Sequence, residues 1–155
     1  MRVQFALALA CVAVATSASA QGLGQRFREV GDWDIFRSTD AMTDEPSCLA
    51  TYDDKPYLQL TDNSFAVSYR GRGGIQGYLY RFDDEPASSM QLPSDIEERV
   101  SAIFLEGQTF QRILSSRRLR IQGLTLVSGS VVEDIDLTNV PEVMSVLTSS
   151  DCQGT

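Results

Sequence analysis

The chain has 155 residues, enough for one ordinary domain, and its 43% hydrophobic and 22% charged side chains are the balance of a globular protein, not a disordered one. Its 13 Lys+Arg stand against 21 Asp+Glu, a formal net charge of −8, whereas a nucleic-acid binder needs a basic stripe to displace counterions from phosphate. Histidine is absent, which removes the commonest general base, the commonest metal ligand and the Ser-His and Cys-His nucleophile systems together.

The chain opens with Arg2, a wholly apolar run from Phe5 to Ala15 and an Ala18-Ser19-Ala20 cleavage pattern before Gln21. These three parts predict a signal peptide over residues 1–20, cleaved to leave a single globular β-rich domain over residues 21–155, periplasmic or secreted. The apolar run is too short to span a membrane, which takes about 20 residues, and no other stretch is longer. Cys11 raises a lipobox reading, but in the preceding Ala8-Leu9-Ala10 an alanine stands where that pattern usually has leucine, so Cys11 is expected to leave with the signal. The remaining cysteines, Cys48 and Cys152, predict a disulfide in an exported chain. Such a bridge closes most of the mature chain into one loop, worth about 4–5 kcal/mol in the chain-entropy picture. Its role is stability, since no CxxC redox pair occurs.

Short segments of period-two alternation dominate the mature chain. Trp33–Arg37 reads as a strand followed by a polar loop through Pro46. Cys48–Tyr52 and Tyr57–Leu60 read as strands separated by a turn at Asp53-Asp54-Lys55-Pro56. Ser64–Arg70 places Phe65, Val67 and Tyr69 on one face, and Gln76–Phe82 does the same for Tyr78, Tyr80 and Phe82. The glycine-rich Gly71-Arg72-Gly73-Gly74 between them predicts a hairpin. Ser94-Asp95-Ile96-Glu97 has the form of a helix capping box, yet Val100, Ala102 and Phe104 alternate with Ser101, Ile103 and Leu105, and a strand over 99–105 ended by Gly107 is preferred. An amphipathic helix is expected over Thr109–Ser115, with Phe110, Ile113 and Leu114 inward. Leu119–Val127 and Val131–Leu137 predict a second hairpin turning at Ser128-Gly129-Ser130. Asn139 as N-cap, Pro141 and Glu142 then open a helix whose apolar stripe is Val140, Val143, Met144 and Leu147. The expected fold is mainly β: one β-sandwich or partly open barrel of about seven to nine strands, with two short helices in the C-terminal half.

Candidate chemistry is sparse. The acids Asp53-Asp54, Asp83-Asp84-Glu85 and Glu133-Asp134 with Asp136 could offer hard oxygens to Ca²⁺, but none has the spacing of a calcium loop, and solvated turn acids are the simpler reading. Paired carboxylates would suit a hydrolase, without any pair being singled out. A Ser-Lys nucleophile is disfavoured: Lys55, the one lysine, sits in a turn and no Ser-x-x-Lys occurs. Arg70 and Arg72 beside flexible glycines are candidate contacts for an anion or partner. So are Arg118 and Arg120, which share a strand face; the protein's own acids are their simplest partners. Trp33, Tyr69, Tyr78 and Tyr80 read as core, with the tryptophan buried. No catalytic residue, metal site or cofactor is assigned.

Gly31-Asp-Trp-Asp-Ile-Phe36, a strand beginning at Cys48, the run from Phe110 to Leu119 into a hairpin, and Asp136-Leu-Thr-Asn-Val140 before a short helix resemble the invasion-associated locus B family of exported bacterial proteins. The similarity spans residues 27–148 and departs from the family at Phe36-Arg37, where a cysteine is usual. The resemblance implies a β-sandwich opened by the Gly-Asp-Trp strand, and an exported, non-enzymatic protein connected with the cell envelope or host contact. The expected function is therefore a binding or envelope accessory protein with an unknown protein or envelope partner. The alternatives are an inhibitor-like protein docking through a sheet edge or the loop Ala41–Pro46, and a carboxylate-dependent hydrolase.

Overall fold

A computed structural model describes residues 22–153; the expected signal peptide and Cys11 lie outside the described residues. Nine strands and three helices follow in chain order: β1 (Gln25–Val30), β2 (Trp33–Thr39), β3 (Pro46–Tyr52), β4 (Lys55–Leu60), β5 (Phe65–Ser68), β6 (Ile75–Phe82), α1 (Asp95–Val100), β7 (Ala102–Leu105), α2 (Gly107–Ser115), β8 (Arg118–Thr125), β9 (Gly129–Asp136) and α3 (Val140–Leu147). The strands form a six-stranded sheet, β1-β2-β3-β4-β5-β7, and a three-stranded sheet, β6-β8-β9. Every pairing is antiparallel. The sheets do not close on each other, so the architecture is a sandwich and not a barrel.

Alternation explains what is buried. Trp33 and Ile35 of β2, Leu58 and Leu60 of β4, Phe65 and Val67 of β5, and Ile103 and Leu105 of β7 join Phe82, Leu119, Ile121 and Ile135 of the small sheet in one core. Phe110 and Ile113 of α2 and Val140, Val143 and Leu147 of α3 extend it, as their helical spacing predicts. The sole tryptophan is buried and meets Tyr52 and Phe65 edge-on, with ring centroids 5.1 and 6.3 Å away. Cys48 and Cys152 are joined, their Cα atoms 5.1 Å apart, tying the segment after α3 to β3.

Two local expectations are corrected, and two details are added. The segments on either side of Gly71–Gly74 are strands, but they do not pair: β5 lies between β4 and β7, and β6 pairs with β8. The glycine-rich segment instead carries the chain from one sheet to the other. It passes so close to the β8–β9 turn that the Val127 N–H donates to the Arg72 carbonyl at 3.2 Å. A Cβ on Gly73, whose φ is +82°, would stand 2.6 Å from Val127 Cγ2; close approach, not a hairpin, requires glycine there. The preferred strand over 99–105 begins only at Ala102. Residues 95–100 are helical because the capping box forms in full: Ser94 Oγ accepts the Glu97 N–H at 3.3 Å and Glu97 Oε2 accepts the Ser94 N–H at 2.7 Å. Ser101, left-handed at φ 53°, then turns the chain into β7. Local capping outweighs alternation, and the helices number three among the described residues. Asn139 occupies the N-cap position of α3 without any side-chain cap bond. Finally, β1 escapes the sequence reading, since Gln25-Arg-Phe-Arg-Glu-Val30 gives no clean apolar face; backbone pairing with β2 makes it a strand. Smaller differences are register only. The second hairpin turns over Leu126-Val127-Ser128, with Gly129 already paired to Thr125, and Lys55 belongs to β4 rather than to the preceding turn.

Candidate binding surfaces

The four arginines singled out from sequence separate into two groups. Arg118 and Arg120 stand on the outer face of the small sheet, on β8. Arg120 Nε donates to Asp134 Oδ2 at 2.9 Å and its Nη2 reaches the same oxygen, while Arg118 approaches Asp84 at 3.4 Å and Asp134 at 3.9 Å. Arg70 and Arg72 lie at the other connection. Arg70 Nε donates to the Val100 carbonyl at 3.4 Å, and the Arg72 guanidinium sits 5.2 Å from the Tyr57 ring centre, a cation–π distance. The structure therefore does not bring the two pairs together.

The acids are likewise dispersed. Asp83 accepts the N–H groups of Arg117 and Arg118 at 2.9 and 3.0 Å, and Glu85 pairs with Arg112. Thr138 lowers the Asp136 pKa, first through its side-chain hydroxyl and then through its N–H, which Asp136 accepts at 2.8 Å. Among the described residues no group of three or more acid or thiol side chains converges as a metal-holding set. Glu133 is one of two buried acids among the described residues. It points inward from β9, where Lys55 Nζ donates to it at 3.1 Å and the Tyr57 hydroxyl at 2.9 Å. The bond to Glu133 raises the Lys55 pKa, and burial followed by the same bond raises that of Tyr57. This trio crosses from β4 of the large sheet to β9 of the small one and acts as a polar clamp.

Two carboxylates share one groove of about 390 Å³, Glu97 and Glu106, beside Tyr78. Glu97 is buried and fully occupied as an acceptor: its Oε2 takes the Ser94 N–H and hydroxyl, and its Oε1 takes the Phe104 N–H at 2.9 Å. That carboxylate closes a helix start and covers the outer edge of β7, which is structural work.

The sheet edges are more informative, because each is an array of backbone donors and acceptors. β7 is covered by Glu97. β6 is covered by the following strap, where Tyr78 and Gln91 exchange backbone bonds at 2.9 and 2.8 Å and the Ser88 N–H reaches the Tyr80 carbonyl at 2.8 Å. β1 carries Arg26, Arg28 and Glu29 and a register shift between Arg26 and Arg28. β9 has neither device along its first half. The Leu137 N–H bonds the Arg117 carbonyl and the Asp136 N–H donates outward to the Tyr52 hydroxyl at 3.1 Å. By the alternation of an antiparallel ladder, the N–H groups of Ser130, Val132 and Asp134 therefore also face outward. None has a hydrogen-bond partner among the described residues, and all three residues are exposed. The loop Ala41–Pro46, the other expected docking element, is also exposed, with Met42 at its tip. It is ordered by Asp40, whose Oδ1 accepts the Met42 and Thr43 N–H groups at 2.8 and 3.0 Å.

Sequence reading missed one residue of interest. Arg81 of β6 faces outward directly opposite Arg120 in the ladder. Its Nε is buried without a hydrogen-bond partner. It lines a groove of about 290 Å³ with Leu79, Ala87, Arg120, Gln122 and Val132. The alternation that put Tyr78, Tyr80 and Phe82 on one face already assigned Arg81 to the other; its neighbour across the strands required the fold.

Comparison with known proteins finds no matching family model, no matching curated protein and no matching solved structure.

Proposed function

We propose that this chain is an exported, non-catalytic binding domain, periplasmic or secreted, that takes a protein or envelope component along the open edge of β9. The observation that carries this reading is the row of outward N–H groups at Ser130, Val132 and Asp134, which have no partner among the described residues, on a strand whose first half is neither covered nor charged. An extended segment added there would supply carbonyl acceptors to that row, and Val132, half exposed, would give its side chains an apolar seat. The Cys48–Cys152 bridge supports export, because structural disulfides persist in oxidising compartments. The resemblance to exported envelope-associated β-proteins points the same way.

The test places a photo-crosslinking side chain at Ser130, and separately at Met42 as comparator, in the chain expressed with its own leader in its native cell. The expected result is a discrete adduct from position 130 that is absent from position 42. Val132→Pro, which removes the central outward N–H while leaving the inward ladder intact, abolishes that adduct without lowering the unfolding midpoint by more than a few degrees. No adduct at 130, or one that survives Val132→Pro, overturns the proposal.

A further inference from the structure

The outer face of the small sheet holds a guanidinium that the protein does not satisfy. Three arginines share that face: Arg118 and Arg120 of β8 and Arg81 of β6. The first two are held by Asp84 and Asp134. The Arg81 side chain has no ion pair or hydrogen bond among the described residues; its Nε is shielded from solvent, so the donors it offers to a ligand are those of Nη1 and Nη2. Among the described residues no aspartate or glutamate lines the groove around it; Arg81, Arg120 and Gln122 are its polar lining, with Leu79, Tyr80, Ala87 and Val132 completing the wall.

We propose that this groove binds a small organic monocarboxylate with a short aliphatic body, its carboxylate on Arg81 and its body over Leu79 and Val132. A carboxylate offers two coplanar acceptors to a planar fork of donors, the geometry guanidinium matches best. One negative charge balances the single guanidinium left uncompensated there. A doubly charged phosphate would meet repulsion from Asp134, which lies across β8 on Arg120. A volume of about 290 Å³ is at the small end of ligand pockets and suits such a molecule. Because the chain as a whole is strongly acidic, anions are not drawn to its surface in general; binding here is local. The site shares Val132 with the β9 edge but is tested on the isolated domain, with no partner present.

The experiment titrates hexanoate, acetate, hexanamide and inorganic phosphate into the disulfide-intact domain and follows backbone amide shifts. Hexanoate is expected to move the amides of Arg81, Gln122 and Val132 in a saturable way, while hexanamide and phosphate do not. Arg81→Gln should weaken hexanoate at least about tenfold, with its unfolding midpoint confirming that it folds. Val132→Asn, which leaves the guanidinium in place, should weaken hexanoate but not acetate. Equal binding of hexanamide, binding of phosphate as tight as hexanoate, or an unchanged titration in Arg81→Gln overturns the proposal.

Discussion

Gly123 is where the two sheets come closest to forbidding any side chain. It lies on the inner face of β8 between Ile121 and Thr125, beneath the ring of Tyr69. A Cβ placed on it would stand 2.4 Å from Tyr69 Cζ and 2.5 Å from both Cε1 and the hydroxyl oxygen, about 1 Å inside ordinary contact. Tyr69 is itself buried and cannot retreat into solvent. Gly123→Ala therefore overpacks the core, at the upper end of the 1–3 kcal/mol range, roughly 3 kcal/mol. Replacing a strand glycine recovers about 0.5–1 kcal/mol of backbone entropy. The net expectation is a loss of about 2 kcal/mol, or a fall of about 8 °C in the unfolding midpoint for a domain of this size. Urea unfolding followed by the fluorescence of Trp33, the single tryptophan, measures it. The same cycle carries an internal control: Tyr69→Leu opens the space, so Gly123→Ala should cost at least 1 kcal/mol less in that background. Tyr69→Phe, which deletes a buried hydroxyl without a partner, should be neutral or stabilising by up to about 1 kcal/mol. A Gly123→Ala protein within 0.5 kcal/mol of the parent, or equal costs in the two backgrounds, refutes the argument.

Two further outcomes follow from the bridge and the buried tyrosines. Cys48 and Cys152 are 104 residues apart, for which loop-closure entropy gives an upper value of about 4.7 kcal/mol. Cys152→Ala should lose roughly 3–4 kcal/mol of that, and reduction of the parent protein should lose the same; an unchanged midpoint in either would show that the bridge does not stabilise. Burial raises the phenol pKa of Tyr57, Tyr69 and Tyr78, and the Glu133 bond raises that of Lys55. All four folded values lie above the unfolded ones, so their contribution is whole below about pH 10 and is lost as pH rises through the folded values. Stability should therefore fall above pH 10, with the ring signals of Tyr57, Tyr69 and Tyr78, resolved by NMR, changing to tyrosinate only together with unfolding; any of these three ionising at the ordinary pH of tyrosine in a still-folded protein would contradict this.

Most of the elements were legible because alternation and helical stripes are local. Tyr78, Tyr80 and Phe82 declare a face, as do Val140, Val143 and Leu147, whatever they pack against. Pairing is not local. The Gly71–Gly74 segment reads as a hairpin turn, since glycines allow positive φ in a turn and in a crossing equally; only the nearness of Val127 distinguishes the two. The region around Ser94 held two competing local signals. The reciprocal bonds of Ser94 and Glu97 settle it for helix up to Val100, after which alternation governs. Of the candidate sites, Arg118 and Arg120 were visible as a basic run in an acidic chain, but their engagement by Asp84 and Asp134 depends on which strands lie side by side. Arg81 was invisible for the same reason.

That error of pairing bears directly on function. Had β5 and β6 formed a hairpin, β5 would have covered the edge of β6 and the sheets would have shared a strand order with no separate three-stranded layer. Because they part instead, the small sheet has two edges of its own and an outer face made by β6, β8 and β9. The strap around Ser88 and Gln91 then closes the β6 edge, leaving β9 open and walling the groove with Ala87. Opposite that wall, Val132 lines the groove and also sits on the free edge. The two binding features thus arise from one topological choice, made where the glycine segment crosses beneath Val127. A glycine there serves function through the layout it permits, and no residue in the crossing needs to touch a ligand.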